Sequence, residues 1–257
     1  MHKGWQRKSN SVVGFFILSL ALAIINIENC TTSRLFENQK VCLYLLMQNH
    51  LKNELHNVLS GKSQIRFGTV IQTIASYLNN GEKTSETIEV EKYFKKEETK
   101  RLEDYISKKN LWVAIDLSQY VSEGAEQKVY LKDAENVLKL NDAIYYNSWK
   151  DYFFNLLLHN YFFPDTAYDL KGFSKDNDIL YAVVEQSYVS ITTNTDLSQV
   201  KTFLTLNGFE NVRNNDYYNP ELGIILEDLH DENVLTKNDI LYFIDTVFYT
   251  TDAFWKN

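Results

Sequence analysis

The spacing of apolar residues changes near residue 110, and this change restricts the chain to a fold that combines helices with β-sheet. Up to that point, apolar residues recur every three or four positions, which is the period of an amphipathic helix. Beyond it, they form short runs rich in Val, Ile, Leu, Tyr and Phe, which are typical of strands. The first part is therefore predicted to contain helices over about residues 51–59, 67–78 and 89–109.

The part after residue 110 is predicted to be an α+β domain. Its strands are gathered before and after a helix, whereas a parallel sheet would alternate them regularly with helices. The predicted helices are Ser148–Tyr161 and Asp196–Asn207, and the predicted strands are Leu111–Val121, Lys128–Lys132, Asn136–Leu140, Leu180–Val189, Gly223–Glu227 and Ile240–Asp245.

The first 46 residues differ from the rest of the chain. They contain both cysteines, and the basic residues Lys3, Arg7 and Lys8 precede the apolar run Val12–Ile25. A run of 14 residues is short for a membrane span and resembles the apolar region of a secretion signal. Three interpretations stay open: an upstream extension before a true start at Met47, a secretion or anchor segment, or a packed helix.

We therefore expect three regions, namely an extension over residues 1–46, a helical region over 47–110 and the α+β domain over 111–257. A start at Met47 would give a cysteine-free protein, which we expect in the cytoplasm. The alternative is a protein secreted or anchored to a membrane through residues 1–30.

Charge and residue spacing exclude several functional classes. The net charge of −8 argues against nucleic-acid binding, because contact with the phosphate backbone needs a basic surface. The nine glycines form no Walker loop, dinucleotide fingerprint or Gly-x-Ser-x-Gly turn, and the histidines and cysteines lack the spacing of a zinc site. His159 lies in an apolar helical stretch, where we expect a core or capping histidine instead of a ligand.

Three polar residues near the end of the chain mark the candidate site. Asp228 follows an apolar strand, Asn233 lies five residues later, and Asp245 ends the next apolar strand. A hairpin would bring these three residues together at the ends of adjacent strands. A carboxylate that accepts a hydroxyl proton, next to an amide oxygen and a second carboxylate that hold Mg²⁺, suits phosphoryl transfer. The alternative is a turn whose side chains cap backbone amides, followed by an ordinary strand end.

This segment resembles the catalytic and metal-binding loops of protein kinases and of aminoglycoside-phosphotransferase-like kinases, where Asp-x-x-x-x-Asn is followed by a later Asp. Six motifs in order are similar to the serine/threonine/tyrosine kinase domain of polyvalent proteins from phages and conjugative elements, over about Leu111–Trp255. These motifs are Glu123-Gly-Ala-Glu126, Ser148-Trp149, Leu158-His-Asn-Tyr-Phe-Phe-Pro164, Gly172-Phe173, Glu185-Gln-Ser-Tyr188 and Asp228-Leu-His-x-x-Asn233.

The resemblance implies a minimal protein-kinase-like fold, with an antiparallel N-terminal sheet, one helix and a short C-terminal half. It implies transfer of phosphate from ATP with Mg²⁺ to an acceptor that the sequence does not identify, a host protein being one candidate. The resemblance implies that Asp228 is the catalytic base, that Asn233 and Asp245 bind the metal, and that Lys139 binds the phosphates.

The resemblance also implies that Gly124 lies at the phosphates and that Glu185 and Gln186 approach the adenine. One departure is that no glutamate lies between Lys139 and Glu185, so the usual helix partner of the strand lysine is missing and Asp142 or Asp151 would replace it. The alternative function is therefore a catalytically inactive nucleotide-binding or scaffolding module that uses the helices before residue 110 to bind a partner. A separate alternative for Lys139 is that it simply occupies the exposed position of a half-buried strand.

Overall fold

A computed structural model describes residues 48–79, 88–124 and 127–256, with the backbone alone for residues 88–93. The predicted extension over residues 1–46 and the start at Met47 lie outside the described residues. Within the described ranges, no helix combines the length and the apolar character that crossing a bilayer requires.

The first part of the chain forms the three predicted helices. They are α1 over residues 48–59, α2 over Gly68–Asn79 and α3 over Ile88–Lys109. Leu55 of α1, Ile71 of α2 and Leu102 of α3 are completely buried, and all belong to the main hydrophobic core. The apolar faces that the helical spacing predicted are therefore used inside the molecule.

Five strands follow, namely β1 Tyr120–Glu123, β2 Gln127–Leu131, β3 Asn136–Asn141, β4 Asp169–Asp176 and β5 Ile179–Ser187. They form one antiparallel sheet with the order β1-β2-β3-β5-β4. Helix α4, Trp149–Phe162, connects β3 to β4, and the Ser148 side chain before it accepts a hydrogen bond from the Asp151 amide. Helix α4 is buried nearly all round, as expected of a helix in the centre of a core.

The second half consists of helix α5, Leu197–Leu206, two small sheets and the short helix α6, Asp252–Trp255. Its strands are β6 Glu210–Arg213, β7 Asp216–Asn219, β8 Ile224–Glu227, β9 Val234–Lys237, β10 Ile240–Phe243 and β11 Val247–Thr250. Strands β9 and β10 form a hairpin, and the other four strands form a sheet of order β11-β8-β7-β6.

The structure confirms the α+β class and the kinase-like arrangement of one antiparallel sheet, one helix and a short second half. The prediction of a strand over Leu111–Val121 is wrong for most of its length. Only one bridge, from Trp112 to Phe173, links the first half of this segment to the sheet, and a 3₁₀ helix over Leu117–Gln119 follows. Asp116 stabilises that helix, because its side chain accepts a bond from the Ser118 amide.

Candidate active site

The candidate site is built around residues 244–246, where the chain crosses from one sheet to the other. The last pair of the β9–β10 hairpin is Phe243 with Val234, and the first pair of β11 with β8 is Val247 with Glu227. Residues 244–246, the crossing residues, therefore have Asn233 beside them at the end of the β9–β10 hairpin and Asp228 beside them at the end of β8 in the four-stranded sheet. Asp228 and Asn233 thus lie next to the crossing segment that contains Asp245, although the strands that carry the three residues belong to two sheets and are not adjacent as predicted.

Asp228 and Asn233 interact within one short loop. The Asn233 side-chain nitrogen donates to Asp228 Oδ2 at 2.8 Å and to the Asp228 carbonyl at 2.9 Å. Asp228 has a φ of +66°, and its amide donates to Asp216 Oδ1 at 3.2 Å, which fixes the start of the loop. Within the described part of the chain, neither side chain caps a backbone amide, so the loop differs from the simple capping turn that was the alternative.

His230 occupies the same loop as a hydrogen-bonding residue. Its Nε2 lies 3.3 Å from Asp228 Oδ1, and its Nδ1 accepts from the Glu232 amide at 3.3 Å. The Asp228 side chain stays half exposed, at 52% of its area. A carboxylate in this position is accessible to a molecule from solvent while the loop itself holds its orientation.

Lys139 points from the middle of β3 into the crossing residues. Its side chain is buried, and Nζ lies 3.0 Å from the Ile244 carbonyl and 3.3 Å from Asp245 Oδ2. The interpretation of Lys139 as a lysine on the exposed side of a strand is therefore wrong.

Neither Asp142 nor Asp151 replaces the missing helix glutamate. Asp142 accepts a bond from the Ile144 amide, and Asp151 accepts one from the Ser148 hydroxyl at the start of α4. Both carboxylates are used in local turns and caps, which is the usual role of aspartate at such positions. The carboxylate that pairs with Lys139 comes from Asp245 instead.

The β1–β2 hairpin of the five-stranded sheet also contacts the crossing residues, through Gln127. The Gln127 side-chain nitrogen donates to Asp245 Oδ2. The amide of Gly124, in the hairpin turn, donates to the Gln127 carbonyl at 2.9 Å. A side chain at Gly124 would meet no atom within 4 Å, so the space beside Gly124 is open. Gln127 was missed by the sequence analysis, although it directly follows the Glu-Gly-Ala-Glu motif.

Tyr168 is a second residue that the sequence analysis missed. Its hydroxyl donates to the Ile244 carbonyl at 2.8 Å and lies 3.5 Å from Asp245 Oδ1. Burial, and then the charge of Asp245, raises the pKa of Tyr168 well above its usual value, so the hydroxyl stays protonated and acts as a donor. A tyrosine that precedes a strand has no distinctive sequence signal, which explains the omission.

A family model for the serine/threonine/tyrosine kinase found in polyvalent proteins matches residues 95–252. The chain belongs to this kinase family. Neither the curated proteins nor the solved structures give a significant match. The matched range contains Lys139, Asp228, Asn233 and Asp245, and family membership assigns the chain to the kinase-type phosphotransferases.

The kinase places Glu185 and Gln186 at the end of β5, where the chain leaves the large sheet. The Glu185 carboxylate forms ion pairs with Lys132 at 2.5 Å and Lys171 at 3.5 Å, and the Gln186 side chain is buried and donates to the Thr166 carbonyl at 2.7 Å. Both side chains are thus occupied by protein partners.

The metal-binding capacity of the kinase site depends on few protein ligands. In the described ranges, no three His, Cys, Asp or Glu side chains group closely enough to hold a metal ion. Mg²⁺ in nucleotide sites usually needs only one or two side chains, because phosphates and waters complete its shell. Asn233 turns its amide nitrogen to Asp228, so its amide oxygen is not used in that bond, and Asp245 has a carboxylate. Oxygen donors of these two types are the ones that could hold Mg²⁺.

Asp228 also has acidic neighbours. Burial raises the pKa of Glu227, and the charges of Asp216 and Asp228 raise it further. The negative potential next to Asp228 favours the approach of a cation.

Proposed function

We propose that the kinase transfers the γ-phosphate of Mg²⁺-ATP to an acceptor hydroxyl, with Asp228 as catalytic base, Asn233 and Asp245 as metal ligands and Lys139 as the phosphate-binding residue. The observation that carries the proposal is the 3.3 Å distance between Lys139 Nζ and Asp245 Oδ2. This ion pair joins the five-stranded sheet to residues 244–246. It places the buried Lys139 ammonium next to Asp245, one of the two residues expected to bind the metal.

Asp228 is suited to accept the proton of the acceptor hydroxyl. A general base must lie within hydrogen-bond reach of that proton and must be accessible to the substrate. The half-exposed carboxylate meets the second condition, and its contacts with Asn233 and His230 hold both oxygens in place. When bound, Mg²⁺ would neutralise the charge on the transferred phosphate.

The nucleotide phosphates would lie between the β1–β2 hairpin and residues 244–246. Gly124 would approach the phosphates, and the adenine would lie beside the end of β5, near Glu185 and Gln186. The Lys139 ammonium would lie next to this space, because the Ile244 carbonyl and the Asp245 carboxylate hold Nζ there. Use of ATP favours a cytoplasmic location, with secretion or anchoring through residues 1–30 as the alternative.

The alternative is nucleotide binding or scaffolding without catalysis. One observation favours it: of the described acidic side chains, only that of Asp245 pairs with Lys139, so α4 supplies no separate counter-ion. Asp245 must then serve both the lysine and the metal. Partner binding through α1 and α2 could not use Leu55 and Ile71, because both side chains are already buried.

Thermal unfolding with ATP, in the presence and absence of Mg²⁺, tests the proposal. A ligand at one hundred times its Kd stabilises a protein by about 2.7 kcal/mol, which is a measurable rise in Tm. We expect this rise only with Mg²⁺, and we expect Asp245→Asn to abolish it. Asp239→Asn is the matched control, because Asp239 lies in the β9–β10 turn with a φ of +61° that asparagine tolerates. A wild-type Tm that ATP and Mg²⁺ do not change would refute nucleotide binding.

A further inference from the structure

His159 of α4 lies behind the candidate site and uses both ring nitrogens. The side chain is completely buried, with Nε2 3.0 Å from the Thr166 carbonyl and Nδ1 2.7 Å from the Thr246 hydroxyl. A carbonyl oxygen only accepts hydrogen bonds, so Nε2 must carry the proton. Nδ1 is then an acceptor, and the Thr246 hydroxyl must donate to it.

The neutral state of this histidine is strongly favoured. Burial lowers the pKa of His159 to about 3, and the nearby charge of Lys139 adds to the effect. The ring therefore keeps one tautomer over the physiological pH range, and the direction of its bond with Thr246 is fixed.

Thr246 directly follows Asp245 and is itself buried. The amide of Ile244 donates to the Asn233 carbonyl at 2.9 Å, and the amide of Phe248 donates to Asn155 Oδ1 at 2.9 Å. Asn155 and His159 are four residues apart, so both project from one face of α4. The helix thus holds the chain immediately after Asp245 at two points.

We propose that His159 is a positioning residue, which fixes the backbone at Asp245 through the Thr246 hydroxyl and so directs the carboxylate toward Lys139. The consequence for Mg²⁺ binding rests on the proposed function, whereas the positioning of Asp245 does not. Helix α4 lacks a carboxylate for Lys139, and it acts instead on the residue that pairs with this lysine.

Hydrogen exchange of the nucleotide-free protein tests the positioning directly. Thr246→Val has the same shape but cannot donate to His159, and Thr246→Ser can. We expect the amides of Ile244 and Phe248 to exchange about tenfold faster in Thr246→Val than in wild type, because a buried acceptor loses its partner. Thr246→Ser should match wild type. Thr251→Val is the control, since it removes a hydroxyl bonded to the Gly223 carbonyl at the other end of β11.

The proposal is overturned if both amides exchange equally fast in Thr246→Val and Thr246→Ser, or if Thr251→Val accelerates them as much as Thr246→Val does. The Mg²⁺ concentration for half-maximal nucleotide binding gives the second readout, and we expect it to rise several-fold in Thr246→Val alone. A wild-type protein that binds no nucleotide, but shows the expected exchange pattern, would refute the proposed function and support the positioning role of His159.

Discussion

The ion pair between Lys139 and Asp245 should respond very differently to the loss of each partner. Lys139 is only 4% exposed, whereas the Asp245 side chain is 31% exposed. Removing the negative charge of Asp245 leaves a charged amine buried beside neutral acceptors such as the Ile244 carbonyl. Removing the cation leaves a carboxylate that still reaches solvent and still accepts a bond from Gln127.

Breaking a fully buried ion pair by removing one partner costs about 3–5 kcal/mol, because it leaves an uncompensated buried charge, whereas replacing both partners by apolar side chains is often neutral or stabilising. Because Asp245 is partly exposed, we expect Asp245→Asn to lower the free energy of unfolding by about 1–3 kcal/mol. Lys139→Met leaves no fully buried charge, since Asp245 still reaches solvent, so it should change this free energy by less than about 1 kcal/mol in either direction. In the double variant, Lys139→Met should restore most of the stability that Asp245→Asn loses.

Urea unfolding of the nucleotide-free protein, followed by tryptophan fluorescence, measures these free energies. Trp149 is 1% exposed in the core and therefore reports on unfolding of α4. The reasoning is refuted if Lys139→Met is as destabilising as Asp245→Asn, or if the effects of the two substitutions simply add.

Two further predictions concern pH and backbone conformation. The pKa of His159 falls from 6.5 to about 3 on folding, so its contribution to stability is complete above pH 6.5 and is lost as the pH falls toward 3. As the pH is lowered from 7.5 to 5.0, protonation of His159 in the unfolded chain should reduce the free energy of unfolding by about 2 kcal/mol, and His159→Gln should lack that part of the pH dependence in urea titrations. The second prediction concerns Gly223, which has a φ of +70° and where a Cβ would lie 2.3 Å from the Phe254 amide nitrogen. Gly223→Ala should therefore lose about 3 kcal/mol in thermal unfolding, and Gly124→Ala, where the space is open, less than about 0.5 kcal/mol; equal losses would contradict this.

Local patterns predicted the helices well, because each signal lies within a few residues. Ser148 marks the start of α4, and the spacing from Leu51 to Leu59 marks α1. Strands β4, β6, β7, β9 and β11 are not among the predicted strands, since they are short or contain polar residues, and long-range pairing decides whether such segments become strands. Val247–Thr250 forms a strand because Ile224–Glu227 lies beside it.

The candidate site could be predicted only where a motif marks it. Asp228 and Asn233 share one loop, and Lys139 follows a recognisable hairpin. Tyr168 and His159 act on the site through contacts between residues that are 76 and 87 positions apart, and no spacing in the sequence encodes these contacts. The partner of Lys139 was mispredicted for the same reason: the nearby aspartates cap local turns, and Asp245 arrives through the crossing between two sheets.

Phosphate transfer from γ-labelled ATP is the most direct measurement of the central claim. The purified protein is incubated with labelled ATP and Mg²⁺, alone and with host lysate, and both released phosphate and labelled protein are counted. The account predicts transfer by the wild-type protein and by Asp239→Asn, and at least a hundredfold loss in Asp228→Asn, since general-base catalysis contributes about 10²–10⁴-fold. Equal transfer by the wild-type protein and Asp228→Asn, or no transfer by either, would contradict it.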